Sequence, residues 1–147
     1  MGDQLSNKVK VAERFAIACL NIPHNPPDVA VNEITVTDFT ALYTNIEISE
    51  ITGSIIGEAM QESGRDGKGN QLLSGLLKSF VCVLIVVEGK FDRHEFKSDE
   101  LESVFKMRML MAFCYGMGCD PAECKSLVAD LVGVTETQQR QSNSEFN

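Results

Sequence analysis

The feature that most constrains this chain is the stretch from Gln71 to Glu88, QLLSGLLKSFVCVLIVVE. Leu72, Leu73, Leu76, Leu77, Phe80, Val81 and Leu84 recur at three- and four-residue spacing and cover more than one face. That periodicity predicts a helix, and a helix apolar nearly all round has to be covered by its neighbours. The β-branched end, VCVLIVV, is compatible with a strand as well. The leucine spacing ahead of it favours helix, and no partner strand is obvious. The longest unbroken apolar run, Phe80 to Val87, is eight residues, whereas a membrane span needs about 20. The stretch therefore predicts the buried centre of a helical bundle and not a membrane anchor.

Punctuation divides the rest. Val11, Phe15 and Cys19, with the adjacent row Ala12, Ala16 and Leu20, give a first helix one apolar face, capped by Ser6 or Asn7. It has to stop near Asn21, because NIPHNPPD carries three prolines that remove donors and extend their predecessors. DVAVNEITVT, residues 28–37, alternates and reads as a short strand or an extended loop. Thr37 is placed to cap one long helix through DFTALYTNIEISEITGSIIGEAMQES. Gly53 and Gly57 share a face of it, which suits a close helix crossing or a self-association seam, or else local thinning of a core helix.

SGRDGKGN, Ser63 to Asn70, is a turn-rich break without the Gly-Lys-Ser/Thr ending of a phosphate loop. Gly89 is placed to end the central helix, and Asp92 with Glu95 has the spacing of a capping box for the next. Leu101, Val104, Phe105, Met109, Ala112 and Phe113 supply that helix's inner face, and Gly116 or Gly118 ends it. DPAE, Asp120 to Glu123, then opens a last helix, with Asp at the N-cap and Pro at the first position. The expected fold is an all-α, single-domain bundle of about five helices. A Pro-rich linker follows the first helix, residues 1–133 form the domain, and 134–147 form a polar tail, flexible or docked on a partner.

Charge narrows the partners. The formal net charge is -8, which repels phosphate backbones and anionic surfaces, so nucleic acid is not expected as a partner. Five cysteines, an odd number, and an N-terminus without an apolar signal core point to a reducing, cytoplasmic compartment, or a virion if the source is viral. Gly2 and Ser6 formally fit an acylation pattern, but no basic cluster supplies the second anchor.

Catalytic chemistry finds little to work with. His24 lies in the Pro-rich loop and His94 beside Arg93 and Glu95, and there is no G-x-S-x-G or H-E-x-x-H. No catalytic residue is expected. Cys114, Cys119 and Cys124 recur at C-x4-C-x4-C without a nearby histidine. Three thiolates could converge there on zinc, but small buried hydrophobes read more simply. Met107 and Met111 share one face of their helix and offer either core filling or an adaptable docking surface.

Two fragments, EGKFDRHEF and GMGCDPAEC, resemble the tellurite-resistance TerB-like helical domains over about residues 72–132. The first resembles that family's turn of an acidic residue, Gly, an apolar residue and a later Glu, with Glu88 where the family usually has Asp. The second resembles its Gly-apolar-Asp-Pro-x-Glu helix start. The resemblance implies an all-α fold and a divalent cation held by the carboxylates of Glu88, Asp92 and Glu95. Without it, no cofactor is expected. The residues themselves favour a non-enzymatic protein that works by contact: an adaptor, a structural subunit, or a virus- or plasmid-type accessory protein. It would bind a protein partner or itself through Gly53, Gly57, Met107 and Met111.

Overall fold

The computed structural model describes residues 2–62, 70–91, 99–120 and 122–130, and every regular element among them is helical. The order is α1 (Gly2–Asn21), α2 (Pro27–Ala30), α3 (Val36–Thr44), α4 (Glu47–Glu62), α5 (Asn70–Phe91) and α6 (Asp99–Gly116). Residues 122–130 form a further helix, α7. The all-α expectation holds. The tail 134–147 lies outside the described residues.

α1 begins at Gly2, ahead of the caps expected at Ser6 or Asn7, and ends where the prolines require it, with the Asn21 side-chain amide donating to the Ile17 carbonyl at 2.9 Å. The segment 28–37 is not a strand. Pro26 is the N-cap and Pro27 the first residue of α2, a single turn that leads into the start of α3. There Thr35, not Thr37, is the N-cap. Its hydroxyl accepts from the Asp38 N–H at 3.1 Å, and its own N–H donates to the Asp38 carboxylate at 3.1 Å. Asp38 is nearly fully buried, and Arg14 of α1 donates to its other oxygen at 2.6 Å. One side chain thus starts α3 and ties it to α1, which is how a buried carboxylate stays satisfied.

The single long helix expected after Thr37 is two. Asn45 is extended, and its side chain accepts from the Glu47 N–H at 3.1 Å. A local bond of this kind competes with helix continuation. Gly89 does not stop α5, which continues to Phe91. An interior glycine costs only about 1 kcal/mol, and the end of α5 is held from outside. Lys90 donates to the Ile34 carbonyl at 3.2 Å and lies 5.1 Å over the Phe91 ring, which packs 6.2 Å from the Phe39 ring of α3. The expected cap at Asp92 falls outside the described residues.

α5 is helical throughout, Phe80 to Val87 included. It buries Leu76, Leu77, Phe80, Val83, Leu84 and Val87. Phe80 stacks on Phe113 of α6, ring centres 4.5 Å apart and planes 14° from parallel, both rings fully buried. α4 packs most extensively against α6 and α1. Along it Thr52 satisfies its buried hydroxyl on the Ile48 carbonyl at 2.7 Å, and the buried Ser49 hydroxyl has no hydrogen-bond partner among the described residues.

Candidate functional site

Gly53 and Gly57 serve the inside of the chain. A Cβ on Gly53 would land on the carbonyl oxygen of Phe113, and a Cβ on Gly116 on the carbonyl oxygen of Glu50. α4 and α6 therefore cross backbone to backbone, each contributing one glycine at the closest point. Gly57 is less tight, 3.4 Å from the Met117 carbonyl oxygen. The expectation that these two glycines meet a partner is corrected: Gly53 lies against Phe113 of α6 and Gly57 against Met117 in the turn that follows it. The close-crossing reading is the one the geometry matches.

The methionines divide. Met109 is fully buried, and Met111 is half-buried against the core. Met107 is 40% exposed, and Tyr115, two turns on, is 45% exposed. Met107, Met111 and Tyr115 stand at i, i+4 and i+8, so one row runs along the outside of α6, with exposed Arg108 beside it. The inner side of the same helix buries Met109, Leu110, Phe113 and Cys114. α6 thus buries an apolar face and also shows a short apolar row, Met107 and Tyr115 with half-buried Met111 between them, next to exposed Arg108. Other exposed aliphatics lie elsewhere: Ile17 stands among exposed Glu13 and Arg14, whereas Ile85 of α5, 58% exposed, is flanked by half-buried Val81, Cys82 and Val86, so the central helix is not covered all round, contrary to the expectation from its sequence. Tyr115 was readable from the spacing alone, since it continues the Met107–Met111 row.

Glu88 turns towards the bundle. One carboxylate oxygen accepts from the Tyr43 hydroxyl of α3, and the other lies 3.4 Å from the Lys106 ammonium of α6. This network fastens α3, α5 and α6 together at a half-buried position, where a charged pair with a hydroxyl partner is worth more than one in open water. Asp92 and Glu95 lie outside the described residues. A divalent cation on Glu88 would share its carboxylate with the Tyr43 hydroxyl and the Lys106 ammonium. Among the described residues, no three His, Cys, Asp or Glu side chains stand where they could hold a metal ion. His24 is exposed on the turn after α1.

The thiols of Cys114, Cys119 and Cys124 are neighbours at the α6–α7 junction, with Cys124 hydrogen-bonded to the other two, but not in an arrangement that would hold a metal ion. The cause is a helix stop. Gly118 adopts φ 83°, its N–H donates to the Tyr115 carbonyl at 3.0 Å, and the Cys119 N–H donates to the Cys114 carbonyl at 3.3 Å. These two bonds around a left-handed glycine make a Schellman motif, which characteristically sets an apolar contact between the residues Cys119 and Cys114 occupy. Asp120 then starts α7 by accepting from the Cys124 N–H at 2.9 Å. Cys124 is buried against this turn.

Burial, reinforced by the neighbouring thiols, pushes Cys114 up to about 12 and Cys119 up to about 11. Burial also raises Cys124 and Cys19. A thiol held protonated in the folded state stabilises the fold fully below its unfolded value, about 8.5, and that stability is lost as the pH rises towards the folded value. The urea midpoint is therefore expected to fall between about pH 8.5 and 11. In the same range iodoacetamide should spare Cys19, Cys114 and Cys124 until denaturant is added. Rapid alkylation of these three in the native protein, read by peptide mass spectrometry, would contradict the packing described.

No helix among the described residues is long and apolar enough to cross a membrane. No family model, no curated protein and no solved structure matches the chain.

Proposed function

We propose that this chain is a non-enzymatic helical protein that acts by binding another protein chain, as an adaptor or a structural subunit. The partner sits on the outer face of α6. The observation that carries this reading is the row of Met107, Met111 and Tyr115 on a helix already apolar on its inner side. Two large apolar side chains left exposed in one row on a helix whose inner face is already packed form a small surface a partner can cover. Methionine suits such a contact because its unbranched thioether adapts to the partner's shape, and tyrosine because it couples a large apolar body to a polar tip.

The test is the double variant Met107→Glu with Tyr115→Glu. Both positions are only 40–45% exposed, so the double variant should lose about 1–2 kcal/mol of folding stability, and circular dichroism with urea denaturation is run first to show that it remains folded. Complex formation in the native cell extract, followed by size exclusion with light scattering, should be lost in the variant. A wild-type chain that runs as a strict monomer in that extract, or a variant that keeps the same complex, would overturn the reading.

A further inference from the structure

We draw no further inference here: the strongest candidate, the three-thiol cluster of Cys114, Cys119 and Cys124 at the α6–α7 junction, is accounted for by the helix stop that brings it together, and nothing beyond the raised thiol pKa values points to a ligand there.

Discussion

Gly53→Ala and Gly116→Ala are each expected to destabilise the chain by about 3 kcal/mol, although alanine is the better helix former by about 1 kcal/mol. The sign is set by what the new methyl group meets. At Gly53 it meets the Phe113 carbonyl, and at Gly116 the Glu50 carbonyl, so only a separation of α4 from α6 makes room. Backbone cannot swing aside as a flexible side-chain end can. Gly57→Ala is the internal comparison. Its nearest neighbour is the Met117 carbonyl oxygen at 3.4 Å, an ordinary contact, so the helix-propensity gain should survive and the variant should be neutral or up to about 1 kcal/mol more stable. Urea denaturation of the three variants measures the order. Equal behaviour at Gly53 and Gly57 would remove the close crossing from the account.

Phe80→Ala and Phe113→Ala follow with an expected loss of about 3–5 kcal/mol each. Both rings are fully buried and stacked on one another, and they join the central helix to the helix that carries the proposed contact face. Domains of this size are stable by only about 5–15 kcal/mol, so either variant should be marginal. The double variant should cost less than the two singles together, because the second truncation removes a ring whose partner is already gone. The coupling expected from a stacked pair is about 0.5–1.5 kcal/mol. Strict additivity would mean that the rings do not pack as described.

The parts of the fold legible in the sequence were those fixed by local chemistry. The prolines after Asn21, the glycines after Tyr115 and the Asp120 start each act within a few residues, and each falls where the spacing places it. Local signals were also present where the reading went astray. Pro27 at a first helical position announces α2, and Thr35-x-x-Asp38 has capping-box spacing, whereas Thr37 has only Thr40 at the corresponding position. Alternation and β-branching in residues 28–37 outweighed them. Asn45 needed its side chain to be seen bonding the Glu47 N–H before the break between α3 and α4 could be recognised.

What no local pattern contains is which element comes to lie against which. Gly53 and Gly57 were legible as a close-approach face, but whether a partner or α6 approaches depends on a crossing with a helix far along the chain. Tyr43 lies 45 residues before Glu88, so the hydroxyl that turns this carboxylate inward has no sequence signature. Met107 and Met111 were visible as a pair. Spacing also placed Met109 and Phe113 on the inner side of α6, where the structure buries them, but it could not say how far Met107 and Met111 are covered by the rest of the chain.

The most direct test of the account is photo-crosslinking in the native cell from α6. A p-benzoylphenylalanine would replace Met107 or Tyr115 in separate variants, with Val29 of α2, another exposed apolar position, as the control. Contact through the outer face of α6 predicts one discrete protein adduct from positions 107 and 115 and none from position 29. No adduct from either α6 position, or the same adduct from all three, would contradict it.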